Sequence, residues 1–231
     1  MPITNRIHRD SAVAAGIFML LLTVLSIGLD IYSASLFHNS TTSTLTIIGV
    51  VITAIINGML AFVLFRGKKD PLAGALALVS MLTLMAPTLV RWLMLGQTPL
   101  VLEYFVSDFA SEGLGYYVAA DLIGLAAGLF GAFFRILLAV ECFKPGCVSG
   151  KKARSLLVFL PVVSIFLAAV ATMVENLYPV RGSGFGVYVT SVFLPALILV
   201  IVDLAYVLMG LAFSIPVYEQ NPDMQDDYYH N

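Results

Sequence analysis

Two charged residues of this sequence lie deep inside long apolar segments, where charged side chains are rare and usually functional. The fourth apolar segment ends at Lys144, and Arg135 comes nine residues earlier. At about 1.5 Å per residue, Arg135 therefore lies about 13 Å inside the end of that segment. Asp203 lies near the middle of the last segment and is the deepest acid. A carboxylate at this depth binds a proton or a cation, forms a structural ion pair, or is protonated and neutral. We predict that Asp203 and Arg135 form a pair or share a water-filled pocket.

The apolar segments offer few groups for other kinds of chemistry. A retinal Schiff base is excluded because it needs a lysine within a span, and all the lysines lie between the segments. They are Lys68, Lys69, Lys144, Lys151 and Lys152. His8, His38 and His230 also lie outside them, so a histidine-ligated metal or haem and a Ser–His pair are excluded within the membrane. The sequence has no Gly-x-x-x-x-Gly-Lys-Ser/Thr phosphate loop. We therefore predict no catalytic residues, no metal and no cofactor in a protein that is not an enzyme.

The composition indicates which elements hold these charges. The chain has 231 residues, of which 60% are hydrophobic and 11% charged, against about 25% charged in an average soluble domain. This excludes a soluble enzyme, a nucleic-acid-binding protein and a disordered chain. Six segments reach the roughly 20 apolar residues of a transmembrane helix: 11–37, 44–65, 72–95, 117–143, 155–177 and 187–216. We expect an all-α polytopic membrane protein in which residues 1–216 form a single six-helix bundle and residues 217–231 an acidic tail.

The basic residues outside the segments predict the orientation of the bundle. Nine of them fall on one side: Arg6, Arg9, Arg66, Lys68, Lys69, Lys144, Lys151, Lys152 and Arg154. Arg181 is the one loop base on the other side. Because cytoplasmic loops carry the excess of Lys and Arg, we expect a multi-pass protein of the cytoplasmic (plasma) membrane with both termini inside.

Three further ionisable residues lie near the outer ends of their spans in this orientation. They are Asp30, Arg91 and Glu175. One of the two acids is expected to pair with Arg91, and the outer acids either attract cations or are simply solvated. Glu103, Ser107 and Ser111 recur every four residues within 96–116, which predicts a short external amphipathic helix, with a re-entrant loop as the alternative.

Each predicted span carries its small and polar residues on one helical face. That face includes Asn57 in the second span, and Asp203 and Tyr206 in the sixth. The fourth span is the candidate for a central helix because its face, in line with Arg135, holds glycines that favour close helix packing. These glycines are Gly124, Gly128 and Gly131. Six such faces predict one compact bundle whose interior is either tightly packed or a hydrated cavity.

These observations predict an integral membrane protein that binds or translocates a small solute or ion through its polar interior. The candidate binding residues are Asp203, Arg135, Asp30, Arg91, Glu175, Asn57 and Tyr206. The alternative is a non-catalytic subunit or assembly partner of a larger membrane complex, whose polar faces are helix–helix contacts. The expected partners are the lipid bilayer, a small solute or cation and, under the alternative, other membrane subunits, but no nucleic acid.

Overall fold

The computed structural model describes residues 6–36, 40–81, 114–143, 150–177 and 180–217, which form six helices and no strand. The helices are α1 (Arg9–Leu36), α2 (Ser40–Phe65), α3 (Pro71–Met81), α4 (Leu114–Phe143), α5 (Lys151–Leu177) and α6 (Phe185–Ser214). One wider π-helical turn, Val189–Phe193, interrupts α6. The all-α prediction is confirmed for these residues.

Among the described residues, three helices are long and apolar enough to cross a membrane: Leu122–Phe143 within α4, the whole of α5 and the whole of α6. The 27 residues of α5 extend about 40 Å, which exceeds the roughly 30 Å of a hydrocarbon core. Two shorter apolar helices, Val51–Phe65 within α2 and α3, accompany them. Large apolar side chains lie on the outer surface, among them Leu125 at 62% and Phe166 at 65% exposed. An apolar surface of this kind is compatible with lipid around the helices.

The helix ends lie within about four residues of the spans expected from hydropathy, except that the description of the third span stops at Met81. α4 begins at Leu114, so residues 114–116 of the external segment 96–116 belong to this helix, whereas Glu103, Ser107 and Ser111, on which the amphipathic helix is expected, lie outside the described residues. The rest of that segment, the second half of the third span and the acidic tail after Val217 lie outside the described residues.

The helices share one apolar core and alternate in direction. α1 packs along α2 and α6, and α5 packs along α4 and α6. α3 lies against the last turns of α4, where a Cβ added at Gly74 would be 3.0 Å from the Cβ of Cys142. The core joins the first halves of α1, α3 and α5 to the second halves of α2, α4 and α6, for example through Ala12, Leu64, Leu76, Leu138, Leu157 and Met209. Successive helices therefore run in opposite directions.

The end of the bundle where α1, α3 and α5 begin is called the basic end here. It carries Arg6, Arg9, Arg66, Lys68, Lys69, Lys151, Lys152 and Arg154. The N–H of Ile7 donates to the carbonyl of Gly67 at 3.1 Å, and the N–H of His8 donates to that of Ala212 at 2.9 Å. These bonds tie the start of the chain to the α2–α3 turn and to the end of α6.

The α2–α3 turn follows from its sequence. Gly67 has a φ of 64°, a left-handed conformation that ends a helix and is accessible to glycine. Asp70 then accepts a hydrogen bond from the N–H of Leu72 at 2.9 Å, and Pro71 occupies the first position of α3, where its missing N–H is not needed. The turn thereby fixes where the neighbouring basic side chains lie.

Candidate solute or ion site

α3, α4 and α6 place polar residues at similar depth in the bundle. Arg135 and Tyr206 each lie eight residues before the end of their helices, which is about 12 Å from the basic end. Ser80 lies nine residues into α3, at about 14 Å. Asp203 lies one turn beyond Tyr206 on the same face of α6, because residues three apart share a helical face. These residues therefore meet near the middle of the bundle.

The guanidinium of Arg135 is held by three neighbours that carry no charge. Its Nε donates to the Oγ of Ser80 at 3.1 Å, and its Nη1 donates to the carbonyl oxygen of Gly131 at 3.1 Å. Its Cζ lies 4.6 Å from the centroid of the Tyr206 ring. Arg135 is 6% exposed, and at a desolvated position a cation above an aromatic face is worth about 2 kcal/mol. The side chain of Arg135, which belongs to α4, thus connects α4 to Ser80 of α3 and to Tyr206 of α6.

The sequence predicts that Asp203 and Arg135 form a pair or share a water-filled pocket, and the described structure shows no direct ion pair between them. No nitrogen of the guanidinium comes within 4.0 Å of the carboxylate. Arg135 is nevertheless the charged group that acts electrostatically on Asp203 among the described residues, and the Asp203 side chain is only partly buried. The physical reason is that Ser80, Gly131 and Tyr206 already surround the guanidinium.

Gly131 and Ser164 bring α5 against α4 beside the arginine. The hydroxyl of Ser164 donates to the carbonyl oxygen of Ala127 at 2.8 Å. A Cβ added at Gly131 would lie 3.1 Å from the Oγ of Ser164 and 3.1 Å from Nη1 of Arg135. Glycine at this position therefore leaves room for the guanidinium at the interface between two closely packed helices.

A second close approach joins α5 to α6. Pro161 lies inside α5, and because proline has no N–H, the carbonyl of Leu157 lacks its usual helical donor. A Cβ added at Gly210 would overlap that carbonyl oxygen and would lie 3.0 Å from the carbonyl carbon. Proline and glycine together let the two backbones touch, with the Cα–H of Gly210 within reach of the Leu157 oxygen.

Two of the other candidate binding residues, Asn57 and Glu175, are not brought to Arg135 in the described structure. Asn57 is 3% exposed on α2, which makes no extended contact with α4, α5 or α6 in the described structure. Glu175 is exposed near the end of α5. Asp30 belongs to α1, but its side chain lies outside the described part of the structure, as does the whole of Arg91.

The three candidate packing glycines differ in their surroundings. Gly131 is in close contact with α5, as described above, whereas a Cβ added at Gly124 would make an ordinary contact at 3.9 Å from the Cβ of Ala171. Gly128 is exposed, and nothing among the described residues lies within 4 Å of a Cβ added there. Of these three glycines, Gly131 therefore makes the closest approach to α5, and the spacing of Gly124 and Gly128 does not mark it.

A buried ion pair that the sequence pattern does not predict lies near the basic end. The Nζ of Lys69 is 3.5 Å from a carboxylate oxygen of Glu141, and their side chains are 8% and 10% exposed. Sequence position assigns Lys69 to a solvated loop, but the α2–α3 turn folds it against the last turn of α4. The signal that would reveal the pair is Glu141 itself, an acid at the end of a long apolar run that requires a cation at its own depth.

The site places the guanidinium of Arg135, which is held by hydrogen bonds, close to the carboxylate of Asp203, which has no ion-pair partner within 4.0 Å in the described structure. Such a site can take up a proton or a small cation at Asp203, or an anion against Arg135. Within the described ranges, no group of three His, Cys, Asp or Glu side chains is placed to hold a metal ion. No protein family, curated protein or solved structure matches this chain.

Proposed function

We propose that this chain is a membrane protein that binds or translocates a small solute or an ion at Asp203 and Arg135. One observation carries the proposal: in the described structure, Asp203 is a partly buried carboxylate with no ion-pair partner within 4.0 Å, beside a guanidinium that donates hydrogen bonds to Ser80 and Gly131. Ionisable groups inside a membrane bundle are costly and mark ion pathways, proton relays and binding sites. A carboxylate outside the structural network can exchange a proton or cation without loosening the helices.

In this proposal all six predicted spans, the third of which begins with α3, cross the plasma membrane with the basic end in the cytoplasm. Support comes from the basic side chains collected at that end, because Lys and Arg accumulate on the cytoplasmic side. α1 starts there and α6 ends there, so both termini face the cytoplasm. The bundle, residues 1–216, acts as a single domain.

In this proposal the binding of a proton and the binding of a charged solute are coupled through the charges of Asp203 and Arg135. With Asp203 ionised, the charges of Asp203 and Arg135 sum to zero, and protonation of the carboxylate leaves one positive charge. In a medium of low effective dielectric constant, one charge changes the interaction with a nearby charged ligand by several kcal/mol. Binding of a proton at Asp203 and binding of a charged solute beside Arg135 therefore oppose or assist each other.

The test is ion flux into liposomes that contain the purified protein. An enclosed pH-sensitive dye reports proton entry under an imposed potassium diffusion potential, and radioactive alkali cations are followed in parallel. We expect flux with the wild type, loss of flux with Asp203→Asn, and partial recovery with Asp203→Glu. Asp10→Asn, which neutralises an exposed carboxylate at the basic end, is the control and should retain flux.

The thermal stability of each variant in detergent separates loss of function from loss of fold. Asp203→Asn should melt like the wild type, because its carboxylate holds no helix in place through an ion pair. Wild-type flux in Asp203→Asn would overturn the proposed proton or cation site.

The second candidate function is that of a non-catalytic subunit of a larger membrane complex, and Gly128 is the observation that favours it. Gly128 lies on the outer surface of α4 between Leu125 and Leu129, which are 62% and 54% exposed. A glycine between two large side chains forms a notch that accepts a side chain from another helix. No described helix of this chain occupies the notch.

Native mass spectrometry of protein extracted gently from its own membrane distinguishes the two functions. Stoichiometric foreign subunits that are released by Gly128→Ile would support the subunit function. A monomer or homo-oligomer that is unchanged by Gly128→Ile would support solute or ion transport, and the flux assay then decides whether Asp203 takes part.

A further inference from the structure

A cleft opens at the basic end between the start of α1, the α2–α3 turn and the segment after α6. Its volume is about 550 Å³. The polar side chains that line it belong to Arg6, His8, Arg9, Asp10, Arg66 and Lys68. Backbone hydrogen bonds from Ile7 to Gly67 and from His8 to Ala212 hold the three walls together. The cleft is therefore part of the folded bundle and not an accident of mobile side chains.

We infer that this cleft binds the phosphate group of an anionic phospholipid from the cytoplasmic leaflet. The proposal requires that the helices lie in a membrane, but it is independent of whether Asp203 moves a solute. Basic pockets between transmembrane helices at the cytoplasmic boundary are suited to anionic headgroups.

The charges in the cleft favour an anion. Arg6, Arg9, Arg66 and Lys68 supply four positive charges, and Asp10 is the acid among the lining residues. The acid that pairs with Arg66 is Asp70, at 3.4 Å and at an exposed position, where an ion pair contributes little. Four cations around one cleft repel one another, and a phosphate between them relieves that repulsion.

The first turn of α1 adds donors to the cleft. His8 precedes this helix, and its Nδ1 accepts from the N–H of Ser11 at 3.4 Å. The imidazole of His8 lines the cleft, and an imidazole ring carries at least one N–H donor. The N–H groups at a helix start, together with the helix dipole, also favour a phosphate.

The surroundings of the cleft favour a lipid over a soluble phosphate compound. Phe65 lines the cleft and is 43% exposed, and Phe62, one turn earlier in α2, is 63% exposed. Apolar side chains of α1 continue the surface, with Leu21 at 52% and Val24 at 67% exposed. A ligand with its phosphate among the basic residues can therefore lay an acyl chain along the outer faces of α1 and α2.

The test is lipid binding by the full chain after delipidation in a neutral detergent. The protein is titrated with dioleoyl phosphatidylglycerol or dioleoyl phosphatidylcholine, and native mass spectrometry counts the bound molecules. We expect one tightly bound phosphatidylglycerol. The double variant Arg66→Gln/Lys68→Gln should raise its Kd about thirtyfold, since each positive charge near an anionic headgroup contributes about fivefold.

The matched control removes two charges of the same sign from the same end of the bundle. Lys151→Gln/Lys152→Gln alters two exposed residues at the start of α5 that do not line the cleft. We expect its Kd for phosphatidylglycerol to stay within about twofold of the wild-type value. An equal rise in both double variants would show diffuse attraction to the basic end and would overturn the site.

Three other results would also overturn the assignment. Equal affinity for phosphatidylcholine would show that no anion is recognised. Displacement of phosphatidylglycerol by equimolar inorganic phosphate would assign the cleft to a soluble phosphate. Phosphatidylglycerol binding that appears only after the acids of 218–231 are changed to amides would assign the cleft to the chain's own tail.

Discussion

Replacing Tyr206 with leucine removes the aromatic face next to the buried charge of Arg135. The Cζ of Arg135 lies 4.6 Å from the ring centroid. Phe134 also contacts this ring, edge to face, with centroids 6.4 Å apart and planes at 79°. Tyr206→Phe is the control, because it keeps both ring contacts and deletes only the hydroxyl.

The expected magnitude follows from these two contacts. A desolvated cation above an aromatic ring contributes about 2 kcal/mol, and an edge-to-face ring pair contributes about 0.5–1.5 kcal/mol. Tyr206→Leu should therefore lower the free energy of unfolding by about 3 kcal/mol. Tyr206→Phe should lower it by less than about 0.5 kcal/mol.

The assay is equilibrium unfolding in mixed micelles of a neutral detergent and dodecyl sulfate. Cys142 is fully buried, so the reactivity of its thiol, measured in a Cys147→Ser background, reports the unfolded fraction. The same Tyr206 substitutions are then made together with Arg135→Met. Without the guanidinium, Tyr206→Leu should cost only about 1 kcal/mol, which gives a coupling energy of about 2 kcal/mol between the two residues.

Two results would refute this reasoning. If Tyr206→Phe is as unstable as Tyr206→Leu, the hydroxyl and not the ring supports the arginine. If Tyr206→Leu costs the same with and without Arg135, the ring and the guanidinium do not stabilise each other, and the site has a different geometry.

Three further substitutions test the packing around the site. Gly210→Ala should lower the free energy of unfolding by about 2 kcal/mol, because the added Cβ meets a backbone carbonyl of α5. The control Gly128→Ala places its Cβ in open space and should be neutral or stabilising by up to about 1 kcal/mol. Equal melting temperatures of the two variants in detergent would contradict the contact between Gly210 and α5. Glu141→Gln should cost about 3 kcal/mol, because it leaves the buried ammonium of Lys69 without its carboxylate, and a Lys69→Met/Glu141→Leu variant that fails to recover this loss would argue against the pair. Ser164→Ala should cost about 1 kcal/mol by removing a hydrogen bond between α4 and α5, and unchanged hydrogen exchange in α5 would speak against it.

The sequence predicts the helices well because their determinants are local. A run of about 20 apolar residues bounded by charges or turn residues forms a helix wherever it lies. The depth of a residue also follows from counting along its helix. The similar depths of Arg135 and Tyr206 could therefore be obtained from the sequence once the helix ends were known.

The contacts between helices could not be predicted in the same way. Whether Arg135 meets Asp203 or Ser80 depends on how each helix is rotated about its axis and which helices are neighbours. Ser80 lies on a polar face like many other small residues, and no spacing marks it as the acceptor of Nε. Gly128 and Gly131 likewise look equivalent in sequence, yet only the latter faces α5 closely.

Two acids face basic residues inside the described bundle, the buried Glu141 and the partly buried Asp203, and they allow structure and function to be separated. Glu141 lies 3.5 Å from Lys69, and both side chains are nearly inaccessible, so this pair is a structural one whose disruption costs stability. Asp203 lies beside Arg135 without an ion-pair contact within 4.0 Å. Because Glu141 forms a direct ion pair and Asp203 does not, the carboxylate of Asp203 is the group expected to exchange ligands.

The two acids should therefore give opposite results in the two assays. Glu141→Gln should lower the melting temperature and leave the flux per folded molecule unchanged. Asp203→Asn should abolish flux and leave the melting temperature unchanged. If both variants lose stability and neither changes flux, Asp203 is a structural residue like Glu141, and the subunit function becomes the better explanation of the polar interior.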